Sequence, residues 1–103
     1  MKIIKELADL IEDELEGAEN YAKLAGHFKR DHPQLASVFF DISTQEMHHV
    51  NMLHDEVAKL IREHREKHGE PPAAMLAIYD WQHKKHIEEA AEVKRYQELY
   101  MES

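Results

Sequence analysis

Apolar side chains recur every three or four residues along almost the whole chain, and that spacing leaves few ways to fold it. The first run reads Ile4, Leu7, Ile11, Ala18, Tyr21, Ala25 and Phe28, the alternation of a helix that turns one seam toward a bundle. Pro33 suits the first turn of a second helix, and Leu35, Phe39, Ile42, Leu53 and Leu60 carry the pattern on to about Lys67. Gly69 can adopt the left-handed conformation that closes a helix, while Pro71 and Pro72 block continuation and open the next. A third seam holds Leu76, Tyr79, Ala90, Val93 and Tyr100, with His83 and His86 among them. Helices are expected over about 3–30, 33–68 and 73–101, each on the order of 40–50 Å long at ~1.5 Å per residue. Short loops make successive helices antiparallel, so the expected fold is all-α, an up-down-up three-helix hairpin occupying 1–103 as one domain.

A formal net charge of −8, with lysines and arginines scattered among the acids, argues against nucleic acid or an anionic membrane and favours cations as partners. The chain has no cysteine, which removes disulfides, thiolate zinc sites, iron–sulfur clusters and a thiol nucleophile. No apolar run approaches the ~20 residues of a membrane span, and Met1 to Glu6 begins an amphipathic pattern rather than a signal peptide. A cytoplasmic location is therefore expected. Neither a serine–histidine–acid set nor a glycine-rich phosphate loop can be assembled.

Three polar residues break the seams. Glu14 stands between Ile11 and Ala18, while Glu46 and His49 are three residues apart on the second helix and so side by side. An uncompensated buried carboxylate costs several kcal/mol. A divalent cation resolves the conflict, because it neutralises the carboxylates and accepts the imidazole nitrogen. Oxygen ligands with one nitrogen suit iron or manganese. The competing expectation places the three at a seam edge, their charges reaching solvent or a nearby lysine. His83 and His86 are expected to pack or cap, although Asp80, His83, His86 and Glu89 are the third helix's candidates for completing a site. His48, His54, His64 and His68 fall mostly outside the seam, where solvation is expected, and Tyr21, about 10 Å along the axis from Glu14, is expected to be a core aromatic.

The segments Glu14-Leu15-Glu16-Gly17-Ala18-Glu19-Asn20-Tyr21 and Glu46-Met47-His48-His49 resemble the ferritin-like superfamily, most closely its rubrerythrin branch. The likeness covers roughly residues 6–61. It implies a ligand set of Glu14, Glu46 and His49 around two iron ions, with manganese as the alternative, and ferroxidase or rubrerythrin-like peroxidase chemistry. Members of the family usually carry two such helix pairs in one chain, whereas this chain has one, so it resembles the half-size members that share a centre between subunits. A homodimer, or a multiple of one, would supply four glutamates and two histidines, and would also cover seam residues such as Tyr100. Without cysteine, electrons must come from an external donor. The rival expectation is a metal-independent helical protein that assembles through its apolar seams.

Overall fold

In the computed structural model, which describes residues 2–102, the chain forms α1 (Lys2–Phe28), α2 (Pro33–His68) and α3 (Ala73–Met101). Each break has a local cause. The ring of Pro33 disfavours helical backbone at the residue before it, and His32 sits at φ −139°, ψ 71°. α1 therefore stops at Phe28, two residues short of expectation, and the His32 N–H donates to the Phe28 carbonyl at 2.8 Å. Gly69 closes α2 at φ +76°, donating its N–H to the Arg65 carbonyl at 3.0 Å. The Pro72 carbonyl then accepts from Met75 and Leu76 at 3.0 and 3.1 Å and starts α3.

Contacts run in opposite order along α1 and α2, with Ser43 on Ala18, Phe39 on Tyr21 and His49 on Glu14. They do so again between α2 and α3, where Phe40 meets Tyr100, Ser43 meets Gln97 and His54 meets His83. Both pairs are antiparallel. The molecule measures 55 × 18 × 18 Å, its long axis matching the ~54 Å of a 36-residue helix. α1 is the central element, packing along both neighbours, while the α2 and α3 backbones come close at few points and meet chiefly through side chains.

The buried row of α1 is Ile4, Ala8, Ile11, Leu15, Ala18, Ala22 and Ala25, which keeps Ile4, Ile11, Ala18 and Ala25 of the expected seam and adds Ala8, Leu15 and Ala22. Leu7, Glu14, Tyr21 and Phe28 lie half-buried on its flank. In the second half of α1 the small Ala18, Ala22 and Ala25 take the centre while Tyr21 and Phe28 lie aside, whereas Ile4, Ile11 and Leu15 fill the first half. α2 contributes Ala36, Ser43 and Val50 to the core and α3 contributes Val93, while the expected seam residues Phe39, Ile42, Leu53, Leu60, Leu76 and Tyr79 are half-buried and Leu35 is exposed.

Fully buried Ser43 ties the three helices together. Its hydroxyl donates to the Ala18 carbonyl at 2.6 Å and accepts from Gln97 Nε2 at 3.0 Å. Tyr100 differs from expectation, because it finds cover within its own chain: it stacks on Phe40 with ring centroids 4.7 Å apart, and the Lys29 ammonium lies 4.9 Å from its ring centre. Among the described residues no helix is long and apolar enough to cross a membrane.

Candidate metal centre

α1 and α2 bring Glu14, Glu46 and His49 together. His49 Nδ1 stands 3.5 Å from Glu14 Oε2, and Glu46 shares a hydrogen bond with Glu14. Because the two carboxyl groups meet, Glu46 is pushed up to about 7, first by the hydrogen bond with Glu14, then by burial and by the charge of Glu14, with His49 pulling the other way. Glu14 Oε2 is shielded from solvent and makes no hydrogen bond. A buried carboxylate oxygen left so costs about 1–3 kcal/mol or more.

The cluster lies at the edge of the α1–α2 seam rather than inside the three-helix core. Side-chain exposure is 29% for Glu14 and 52% for His49, and the two line a shallow cavity of about 270 Å³ with Leu10, Met52 and Leu53. Among the described residues no three histidine, aspartate or glutamate side chains of this one chain are arranged to hold a metal ion. Two carboxylates and one imidazole amount to half of the ligand set of a dinuclear carboxylate centre.

Gly17, one turn beyond Glu14, makes the carboxylate contact possible. A Cβ there would fall 2.9 Å from Glu46 Oε2, whereas one on Gly26 would meet nothing within 4 Å. Each Gly→Ala change should favour helix by up to about 1 kcal/mol. Gly17→Ala is therefore expected to fold normally, to move the Glu46 carboxylate off Glu14, and to weaken metal binding. Gly26→Ala should raise the melting temperature without touching metal affinity. Titration calorimetry and thermal melts on both variants check this, and equal metal affinity in the two would remove Gly17 from the site.

The candidates on α3 belong to a different cluster. Glu12 and Glu14 are two residues apart, hence about 200° around α1, and α3 packs on the Glu12 side. There His86 Nε2 lies 3.1 Å from Glu12 Oε2, Lys85 Nζ lies 3.3 Å from Glu12 and 3.7 Å from Glu89, and His83 Nδ1 meets His54 Nε2 at 3.0 Å. Asp80 pairs with Lys84 at 3.3 Å. Burial, and then the hydrogen bond and charge of Glu12, push Glu89 up to about 7. Burial also works upward on Glu12, but hydrogen bonds with Glu89 and Lys85 and the charges of Lys85 and His86 outweigh it and hold Glu12 below its ordinary value.

These shifts set a pH dependence. Glu46 and Glu89 bind a proton more tightly folded, near 7, than at their ordinary 4.5, so the stability they contribute is complete below pH 4.5 and lost as pH rises through 7. His86, whose proton affinity burial lowers, acts oppositely below its ordinary 6.5 and delays the fall. The metal-free protein is expected to melt at a lower temperature at pH 8 than at pH 6, with the difference reduced in Glu46→Gln. Melting curves across that range measure it, and a flat profile would show that the carboxylates do not share protons.

Sequence reasoning missed Gly17, Glu12 and His54. Glycine inside a strong helical pattern signals close approach, and His54 stands four residues after Val50 and three before Val57, on the inward face of α2. No family model, curated protein or solved structure matches the chain.

Proposed function

We propose that two copies of this chain, each a ferritin-like up-down-up hairpin, pair across the faces bearing Glu14, Glu46 and His49 and together hold two iron ions. The observation that carries this is the meeting of those three side chains around a solvent-shielded Glu14 oxygen that makes no hydrogen bond. Ile3, Leu10 and Leu24 are exposed on the same face of α1 as Glu14, and Leu35, Val38 and Met52 are exposed on α2 within about 60° of His49. Such a face favours a second copy. The chain exposes 7101 Å² against about 6000 Å² for a compact 12.1 kDa monomer, and its radius of gyration is 16.5 Å against about 13 Å.

In this reading Glu14 and Glu46 neutralise the ions and His49 of each copy supplies one imidazole nitrogen. Glu46 gives up its proton on binding, so affinity rises with pH through 7. Bound ferrous ions supply electrons for reducing dioxygen or peroxide, which makes the function ferrous-ion oxidation or oxidant reduction at a carboxylate–histidine centre. A net charge of −8 draws ferrous ions toward the protein, and turnover with peroxide takes electrons from an external donor. Manganese is the alternative metal, and a cytoplasmic location belongs to the same proposal.

Sedimentation and elemental analysis on untagged protein test it. The expected result is a mass of two 12.1 kDa chains, or a multiple, with two irons per pair, both lost in Glu14→Ala. A monomer that retains stoichiometric iron would overturn the shared centre. A metal-free dimer whose melting is indifferent to iron would favour assembly through the apolar faces alone.

A further inference from the structure

Where the α2 and α3 backbones stand apart, they border with α1 a cavity of about 380 Å³. α1 supplies Ile4 and Ala8, α2 supplies residues within 54–65 and α3 residues within 76–86. Val57, Ala58, Ile61 and Leu76 make the lining largely apolar, while His54, His83 and Gln82 bring hydrogen-bonding groups to it. Apolar cavities of roughly 300–1,000 Å³ with a few convergent polar groups are the usual form of small-molecule sites. We propose that this cavity binds one uncharged, largely apolar small molecule that carries a hydroxyl group, of the size of a bicyclic phenol.

Size selects a small molecule over a partner helix. A helix ~10 Å wide lying along the ~16 Å spanned by residues 54–65 displaces more than about 1,000 Å³, well beyond the 380 Å³ present. Side chains also bridge the gap, with His54 on His83 at 3.0 Å and, further along, Gln97 on Ser43 at 3.0 Å and Phe40 stacked on Tyr100. A helix of a second copy therefore has no continuous groove to enter. At the ~30 Å³ that a water occupies in the liquid, the cavity holds about a dozen waters or ligand non-hydrogen atoms. Release of water from the apolar walls drives binding.

Charge selects an uncharged ligand. Arg65 and Asp80, the formal charges in the lining, already meet opposite charges, Arg65 with Glu70 at 3.2 Å and Asp80 with Lys84 at 3.3 Å. Burial raises the Tyr79 phenol above its ordinary value and, in spite of Glu12, lowers the proton affinity of His86, so both stand neutral beside the cavity near pH 7. The hydroxyl follows from the His54–His83 pair. In the neutral pair one hydrogen lies between His54 Nε2 and His83 Nδ1, so whichever ring donates, the two remaining ring nitrogens offer one donor and one acceptor. A hydroxyl can use either, because it both donates and accepts. A carbonyl, which only accepts, is served by the donor alone.

The test uses metal-free full-length protein with 1-naphthol, so its result does not depend on the dinuclear iron reading. Calorimetry and amide NMR should show one naphthol per chain, shifts centred on Val57, Ala58 and Leu76, and a melting temperature that rises with naphthol concentration. 1-Naphthoate, with the same rings but a negative charge, should bind at least about 10-fold more weakly. Ala58→Trp, which fills the cavity from an exposed position on α2, should abolish binding. His83→Phe keeps a ring in place and should erase the preference for 1-naphthol over naphthalene. Circular dichroism confirms folding, and exposed His83 carries the test if Ala58→Trp unfolds. Shifts centred on Leu10 and Met52 instead, equal affinity for 1-naphthoate, unchanged binding in folded Ala58→Trp, or a retained preference in His83→Phe overturns the proposal. So does the absence of saturable 1-naphthol binding.

Discussion

With His49 replaced by alanine, ferrous ions loaded without oxygen and then given dioxygen or peroxide should turn ferric at least about 100-fold more slowly than in the native protein. His49 Nδ1 lies 3.5 Å from the Glu14 oxygen that lacks a hydrogen bond, so an ion that satisfies Glu14 comes within reach of the imidazole. Alanine leaves that coordination position to water, and in a shared centre both halves lose their nitrogen together. Glu46→Ala should slow oxidation as much, because it removes the carboxylate that meets Glu14. His64, near the far end of α2, provides the control, and His64→Ala should oxidise iron at the native rate. Rapid-mixing absorbance measures all four proteins. Native rates in both ligand variants would sink the catalytic assignment.

Glu14→Met should have two large and opposite effects. Iron binding should be lost, since methionine's thioether is a poor ligand for a hard, oxygen-preferring ion. The metal-free protein should become more stable. Glu14 Oε2 is shielded without a hydrogen bond, and removing an unsatisfied group of this kind recovers about 1–3 kcal/mol. A methionine of similar length packs instead against Leu10, Met52 and Leu53, which line the same recess. At about 4–8 °C per kcal/mol for a domain of this size, the melting temperature should rise by roughly 4 °C or more. The variant also removes the main cause of the raised Glu46 proton affinity, so the fall in stability toward pH 8 should shrink. A destabilised Glu14→Met that still unfolds cooperatively would mean that the carboxylate serves the fold, and retained iron would place the metal elsewhere.

The helices and their breaks were legible in the sequence because their causes are local. A 3-4 apolar alternation, a proline at the first turn of α2 and a left-handed glycine at its end act within a few residues of themselves, and α2 and α3 begin and end where those signals stand. The polar interruptions at Glu14, Glu46 and His49 were equally visible, since a carboxylate in an apolar row is anomalous wherever the row is packed. Which row would be packed was a tertiary decision. Once α1 lies between two helices, Ala8, Leu15 and Ala22 join Ile11 and Ala18 in the buried row, and Glu14 falls at the edge of the seam, beside exposed Leu10 and Met52.

The same decision made Gly17 a spacer for Glu46, put Tyr100 under Phe40, and sent Glu12 to the opposite side of α1 from Glu14. It also turned His54 against His83, 29 residues later on α3, a pairing that spacing along α2 alone does not contain. Sequence spacing reports which side chains share a helix face. The angle at which that face meets its neighbours depends on side-chain volumes summed over all three helices, and no local pattern contains that sum.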